Sequence, residues 1–145
     1  MEELFHRLGH PFPDIMIDRV LDVDKDKNVR TLKGVSADEF YLSGHFPGNP
    51  ILPGVMTLEG MIQSALLLVN ELYSRGKVTC TLEKVDRLKF RRPVVPGDRV
   101  EFQIQLKAQA DHSLKFKGKA LVAGETATEA DFTLKISVRE VGFDL

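Results

Sequence analysis

One long apolar segment, VMTLEGMIQSALLLVNELY at residues 55–73, constrains the fold more than any other part of the chain. It is rich in Leu and Met, contains no proline and places apolar residues on nearly every face of a helix. That pattern is typical of a buried helix and not of an amphipathic surface helix. The rest of the chain must therefore cover this helix on several sides.

Segments with a period of two flank the predicted helix and indicate β-strands. The predicted strands lie at residues 15–23, 28–35, 100–106, 114–122 and 130–138. Turns are predicted at Asp24–Lys27, at Asp111–His112 and at Gly124. Strict alternation of apolar and polar residues predicts an antiparallel sheet with one face in water. A short helix is also predicted at residues 2–8.

These elements predict a single α+β domain that spans residues 1–145. The length is that of one domain, and 43% of the residues are hydrophobic, which is enough to build a core. One buried helix among five or six strands suggests a sheet wrapped around that helix. An arrangement of two layers side by side fits the same pattern and stays open at this point.

Composition excludes several classes of protein. The net charge is -1, which is not that of a nucleic-acid-binding chain, and the single Cys80 cannot form a disulfide within the chain. The acidic N-terminus does not resemble a signal peptide, and the longest apolar run, residues 65–69, is too short to span a membrane. We therefore expect a cytoplasmic protein that neither binds nucleic acid nor spans a membrane.

Charge is unevenly distributed along the chain. Residues 77–119 carry 11 Lys and Arg against 5 Asp and Glu, whereas the two flanking regions are acidic. This basic middle would suit an acidic partner. A scatter of solvated lysines explains the count equally well.

The stretch GHFPGNPILPG, residues 44–54, holds one ionisable side chain in a stiff segment. Proline fixes φ and pushes the preceding residue to extended geometry, so the segment from His45 to Pro53 has few conformations and is not helical. It leads directly into the predicted helix at Gly54. The first turn of a helix offers unpaired N–H groups to a developing oxyanion, and no side chain shields the N–H of Gly54.

Glu59 is the only acidic residue between Val55 and Asn70. A charged carboxylate is costly in apolar surroundings, so Glu59 is expected to hold a proton, whereas His45 can act as a base near neutrality. Together they would form an acid–base pair. Taken alone, the same residues also fit a structural histidine and a carboxylate that interacts with the helix dipole. The histidines and the cysteine show no metal-ligand spacing, so no metal site is predicted.

Three blocks together resemble the FabZ-type 3-hydroxyacyl-[acyl-carrier-protein] dehydratases. GHFPGNPILPGVMTLEGMIQ resembles the family signature, HPFPDIMIDRV at 10–20 its N-terminal block, and LKFRRPVVPGDRV at 88–100 its late strand motif. The blocks occur in the family's order and span most of the chain. The resemblance implies the hot-dog fold, in which an antiparallel sheet wraps around one long helix. It also implies a dimer whose sites combine the histidine of one subunit with the carboxylate of the other, and it allows further assembly into a trimer of dimers.

By that resemblance, His45 removes the C2 proton of a 3-hydroxyacyl thioester and Glu59 protonates the departing hydroxyl. Gly54 would polarise the thioester carbonyl, Phe46 would lie beside the substrate, and Gln63 would orient the carboxylate of Glu59. The acyl group arrives on the phosphopantetheine of an acyl carrier protein, and no cofactor is implied. Carrier proteins are acidic, so a docking rim is predicted at the cluster of Lys89, Arg91 and Arg92, whose alternative role is to pair with local acids such as Asp98.

Several positions depart from the family pattern. Related FabA-type enzymes, which also isomerise the double bond, usually carry Asp where this chain has Glu59, which favours a dehydratase without isomerase activity. Pro11 and Asp14 replace the usual Arg and Phe, and Gly60 replaces a usual Ala, a change expected to widen the site. The alternatives are a hot-dog thioesterase, a dehydratase of a specialised polyketide-like or polyene-like pathway, and a non-catalytic acyl-binding subunit.

Overall fold

The computed structural model describes residues 15–24, 27–36, 51–73 and 78–138. The predicted helix at residues 2–8, two residues of the predicted turn at 24–27 and the segment that carries His45 and Phe46 lie outside these ranges. The described elements are β1 (Arg19–Asp24), β2 (Asn28–Gly34), α1 (Gly54–Leu72), β3 (Val78–Phe90), β4 (Arg99–Ala110), β5 (Ser113–Val122) and β6 (Glu125–Val138).

The strands form one six-stranded antiparallel sheet in the order β1-β2-β4-β5-β6-β3. The β4–β5 hairpin turns at Asp111–His112, and the β5–β6 hairpin turns at Ala123–Gly124. His112 and Ala123 both have positive φ, and Gly124 has a φ of 80°. Both turns were predicted, because the tight reversal of direction needs residues that tolerate a left-handed backbone.

The predicted first strand starts too early. Residues 15–17 are buried, but the ladder begins only at Arg19, after the Asp18 N–H donates to Leu32 O at 2.8 Å. Met16 instead donates its N–H to the side chain of Gln63 on α1, at 2.7 Å. This segment therefore belongs to the helix side of the molecule and not to the sheet, a distinction that alternation alone does not reveal.

Helix α1 packs mainly against β4, β2 and β5, as a sheet wrapped around one helix requires. The inward residues of β4, β5 and β6 are the ones predicted from alternation; the buried members are Val100, Phe102, Ile104, Leu106, Leu114, Phe116, Ala120, Val122, Ala130, Phe132, Leu134 and Ile136. The rings of Phe116 and Phe132 stack with centroids 5.5 Å apart, which joins β5 to β6 in the middle of the core. The observed layer arrangement is the α+β fold predicted from the sequence.

By length and hydropathy alone, α1 would suffice to cross a membrane, with a mean hydropathy of 1.2. Its apolar composition has another cause in this fold. Nine of its 19 residues are buried inside the described part of the protein, because the sheet covers one side of the helix and residues 15–17 pack into the same core.

Strand β3 forms one edge of the sheet and is largely exposed. Its ladder with β6 is interrupted between Leu82 and Lys84 and again between Asp86 and Lys89, and Arg87 has a positive φ of 52°. The block at 88–100, which resembles the family's late strand motif, is strand only at its two ends. Residues 91–98 form a loop between β3 and β4, tied by Leu52 N–H to Val94 O at 2.7 Å. Pro53, Pro93 and Pro96 lie close in sequence to Leu52 and Val94, which form this contact. A proline has no main-chain N–H, so none of the three can donate to a strand ladder.

Candidate active site

The predicted site residues that the structure describes fall into two groups. Gly54, Glu59 and Gln63 lie on α1, at its first residue and in its first half. Lys89 lies near the end of β3, and Arg91 and Arg92 follow it in the loop. His45 and Phe46 lie outside the described residues.

The first turn of α1 is arranged as an anion-binding helix end. Pro53 occupies the N-cap position, and the helical hydrogen bonds begin with Met56 N and Thr57 N, which both donate to Pro53 O. The N–H of Gly54 lies ahead of this ladder, and no acidic residue lies in the first turn. The positive end of the helix dipole is therefore not neutralised locally.

A cavity of about 380 Å³ opens beside this helix end. Its lining residues are Ile51, Leu52, Gly54, Thr57, Phe90, Arg91, Arg92, Pro93, Val94 and Thr128. The Phe90 ring lies against Gly54 so closely that a Cβ at Gly54 would collide with its Cε1 and Cζ atoms. A side chain at this position would have to displace the Phe90 ring, and the backbone of Gly54 faces a space with an apolar wall and a basic rim.

Glu59 is half-buried and is held by its own helix. Gln63 Nε2 donates to Glu59 Oε1 at 3.0 Å, four residues and one helical turn away. Gln63 is fully buried, and its Oε1 accepts the N–H of Met16. The sequence indicated the contact between Gln63 and Glu59, whereas the contribution of Met16 carries no sequence signal because it is a main-chain group.

The predicted basic cluster is engaged with acids of the sheet. Arg91 donates to Glu129 at 2.7 Å, and Arg92 lies 3.3 Å from Glu125 and 3.8 Å from Asp98. The hydrogen bond from Arg91 lowers the pKa of Glu129 below its ordinary value of 4.5, with smaller contributions from the charges of Arg91 and Lys89. Lys89 and Arg91 thus approach the same acid, whereas Arg92 turns toward other acids, among them Asp98, the acid named above as an alternative partner.

Gly54 and Glu59 do not face the same space. They are five residues apart, so they lie about 140° apart around a helix that advances about 100° per residue. Thr57 joins Gly54 in lining the cavity, whereas Glu59 is not among its lining residues. A single described chain therefore does not bring the proposed oxyanion donor and the proposed acid together.

Behind the acid, polar side chains join the helix to the sheet. Ser64 Oγ donates to Gly60 O at 2.8 Å and also lies 2.8 Å from Thr31 Oγ1 on β2. All three residues are shielded from solvent. Gly60 itself faces the Phe102 ring and not the side of Glu59. The expectation that Gly60 widens the site is therefore wrong, because the missing methyl group makes room for a core ring.

Other features of the described ranges lie away from this region. A cavity of about 590 Å³ lies on the outer face of the sheet near Leu32, Glu101 and Leu121, and none of the predicted site residues lines it. Within the described residues no cluster of His, Cys, Asp and Glu has the arrangement of a metal site. Burial raises the pKa of the Cys80 thiol to about 11, so this cysteine is a poor nucleophile at neutral pH.

Comparison with known proteins identifies the family. Residues 9–131 match the FabA-like domain family. The chain is 36% identical over 140 residues to the 3-hydroxyacyl-[acyl-carrier-protein] dehydratase FabZ of Sinorhizobium fredii, covering 97% of this chain and 91% of that protein. It is 41% identical over 134 residues to the enzyme of the same name from Pectobacterium atrosepticum, covering 90% and 87%.

Solved structures show the same fold at low sequence identity. The dehydratase heterocomplex ApeI:P from Xenorhabdus doucetiae superposes with a TM-score of 0.77 at 18% identity, covering 96% of this chain and 92% of that one. A mutant thioesterase from Pseudomonas aeruginosa gives a TM-score of 0.73 at 14% identity, covering 94% and 93%. These two likenesses establish the fold, and the sequence matches establish the relationship. The chain belongs to the FabA-like family, and FabZ-type dehydratases are among its relatives.

Proposed function

We propose that this protein removes water from 3-hydroxyacyl chains carried by an acyl carrier protein and releases the trans-2-enoyl thioester. The observation that carries the proposal is the carboxyl group of Glu59, held by buried Gln63 on the core helix of a chain that aligns with FabZ dehydratases over 97% of its length. The reaction belongs to fatty acid biosynthesis and makes the protein a hydro-lyase.

The chemistry follows from two groups with opposite tasks. His45 accepts the proton from C2, and the electron pair left behind forms the C2–C3 double bond. The C3–O bond breaks as Glu59 gives its proton to the departing hydroxyl, which leaves as water. The Gly54 N–H, at the unneutralised end of α1, stabilises the negative charge that develops on the thioester oxygen. No step needs a metal or a cofactor.

Two copies of the chain would supply one complete site. Support comes from the separation of Gly54 and Glu59 on different sides of α1. It also comes from β3, a 13-residue edge strand that exposes Leu82, Leu88 and Phe90. A long exposed edge with large apolar side chains favours pairing with another strand. We propose a dimer through this edge, with a trimer of dimers as the larger assembly and the cytoplasm as the compartment.

The carrier protein would approach the cavity beside Gly54. Arg91 and Arg92 line that cavity, and the Arg91 side chain is half exposed even while it contacts Glu129. A positive rim around an apolar opening suits an acidic protein that delivers an acyl chain on a phosphopantetheine arm. Lys89, which approaches the same acid, would extend this rim.

A direct assay tests the activity. The purified protein is incubated with 3-hydroxyacyl carrier proteins of graded chain length, and both the 2-enoyl thioester and free thiol are measured. We expect the enoyl product without release of thiol and without a 3-enoyl isomer, since Glu59 and not Asp occupies the acid position. Free thiol instead of enoyl product would identify a thioesterase, and binding without any product would identify an acyl-binding subunit.

A further inference from the structure

The side-chain amide of Gln63 has its orientation fixed by a partner that acts in only one way. The main-chain N–H of Met16 donates to it at 2.7 Å, and an N–H group cannot accept a hydrogen bond. The contacted atom must therefore be Oε1. The amide nitrogen is left on the other side, where it donates to Glu59 Oε1 at 3.0 Å.

This polarity favours one oxygen of Glu59 as the one that carries the proton. Gln63 Nε2 is a donor only, so the oxygen it contacts must act as an acceptor. In a neutral carboxyl group the carbonyl oxygen is a better acceptor than the hydroxyl oxygen, so this contact favours the form with the proton on Oε2. Once that proton has been given away, the same hydrogen bond becomes charge-assisted and stronger. Gln63 thus selects Oε2 as the donor oxygen and stabilises the carboxylate that the reaction leaves.

The position of Met16 depends in turn on Asp18, two residues further along. The Asp18 main chain donates to Leu32 O at 2.8 Å, and its carboxylate accepts the N–H of Gly34 at 2.7 Å. The other carboxylate oxygen lies 3.7 Å from Lys33 Nζ. Contacts between Asp18 and the end of β2 therefore hold in place the segment whose Met16 N–H reaches the helix.

Lys33 is an unusual residue to find at this place. It lies on the buried face of β2, as Thr31 does two residues earlier, and it is only 7% exposed. Among the buried residues that the structure describes, it is the only ionisable one. Burying an ammonium group costs free energy that an apolar side chain would not, and the contact with Asp18 offsets part of that cost.

We propose that Asp18 and Lys33 are a positioning pair for the catalytic acid. They hold residues 15–18 so that the Met16 N–H orients Gln63, and Gln63 assigns the proton of Glu59 to Oε2. The proposal rests on the proposed function, because that function gives Glu59 the role of acid. It extends the site by two residues that do not touch the substrate.

A double-mutant cycle on the rate of dehydration tests this chain of contacts. Lys33→Met and Asp18→Asn are each made in the natural background and together with Gln63→Met, which removes both the donor and the acceptor of the amide. In the natural background we expect each to lower kcat about three- to thirtyfold with little change in KM, the range typical of coupled neighbours. In the Gln63→Met background, neither should lower kcat further. Lys33→Met alone suffices if Asp18→Asn does not fold.

Asp98 supplies the matched control. Its carboxylate also accepts a main-chain N–H, from Val95 at 3.0 Å, and also lies near a cation, 3.8 Å from Arg92. Asp98→Asn should have the same effect on kcat in both backgrounds. Equal losses for Lys33→Met in both backgrounds would show a general structural role and overturn the proposal.

Hydrogen exchange gives a readout that does not need substrate. In the natural protein, we expect the Met16 amide to be protected, and in Lys33→Met to exchange at least about tenfold faster, while amides of β5 stay unchanged. Unchanged exchange at Met16, or equal acceleration at all amides, contradicts the proposal. If the natural protein shows no dehydration at all, the proposed function fails, and the exchange result still decides whether the pair holds Met16.

Discussion

The ring of Phe102 on β4 lies directly on the backbone of Gly60 in α1, and a Cβ added to Gly60 would come within 3.0 Å of three ring carbons. Phe102 is fully buried, so the ring has no free space to move into. The helix thus packs tightly on the sheet one residue after the proposed acid. This contact limits how close α1 can lie to the sheet, and it therefore helps to position Glu59, the preceding residue.

Gly60→Ala should therefore destabilise the protein, although alanine is the better helix former. Alanine gains about 1 kcal/mol of helix propensity, but overpacking against a buried ring typically costs about 1–3 kcal/mol and accompanies shifts of the backbone. We expect a lower free energy of unfolding in urea, with recovery when Phe102→Leu is added. Gly118→Ala is the control, because there the nearest atom is the sulfur at the flexible end of Met61. A more stable Gly60→Ala protein would show that the ring yields.

Glu59→Gln should abolish most of the dehydration without unfolding the protein. Glutamine keeps the shape and can still contact Gln63, but it has no acidic proton to give. General acid–base groups contribute about 10²–10⁴-fold, and we expect losses of that size in kcat for Glu59→Gln and for His45→Ala. Circular dichroism should show unchanged folding. A loss below about tenfold would reduce either residue to a structural role.

Mixing the two inactive proteins should restore activity if the site is shared. A mixed dimer of His45→Ala and Glu59→Gln chains contains one site with both groups intact. At equal amounts, about one quarter of the natural activity is the expected ceiling, given random exchange of subunits, since half of the dimers are mixed and each has one of two sites. Exchange is checked by native mass spectrometry. Proven exchange with no recovery would place the whole site within one chain.

Arg91→Gln and Glu129→Gln separate docking from ion pairing. Both variants break the 2.7 Å contact, but only Arg91→Gln removes the positive charge from the rim. We expect Arg91→Gln to raise KM for carrier-protein substrates severalfold and to weaken its dependence on salt, because rim charges act mainly on encounter. Glu129→Gln should leave that KM unchanged or lower it. The KM for a short coenzyme A thioester should change in neither variant. Equal KM changes in both variants would assign Arg91 to the sheet alone.

The same pair predicts a dependence of stability on pH. The pKa of Glu129 is lower in the folded protein than its ordinary value of 4.5, chiefly because of the Arg91 hydrogen bond. The pair therefore stabilises the fold above pH 4.5, and this contribution is lost as the pH falls through the lowered value. The Tm difference between the natural protein and Arg91→Gln should be small at pH 7, as for an exposed pair, and vanish under acid conditions. A difference that grows on acidification would exclude this pair as its source.

Much of this protein is determined by local patterns that the sequence displays directly. The apolar run at 55–73 predicts the core helix within one residue at each end, and alternation predicts the inward faces of β4, β5 and most of β6. Glu59 and Gln63 are one turn apart on a helix, so their contact follows from helical spacing. These features depend on neighbours in sequence, which is why periodicity is enough to find them.

Only the tertiary structure decided which distant groups meet. Met16 contacts Gln63 across 47 residues, and Gly60 faces a ring on β4 and not the acid. Lys33 lies on the buried face of β2, and a lysine among alternating buried positions is visible in the sequence. Nothing in the alternation connects it to Asp18. Arg91 and Arg92 lie just beyond the end of β3, and only the fold shows which acids of the sheet they reach. Side-chain and main-chain contacts between remote segments depend on how the sheet curves around the helix, and no local spacing encodes that geometry.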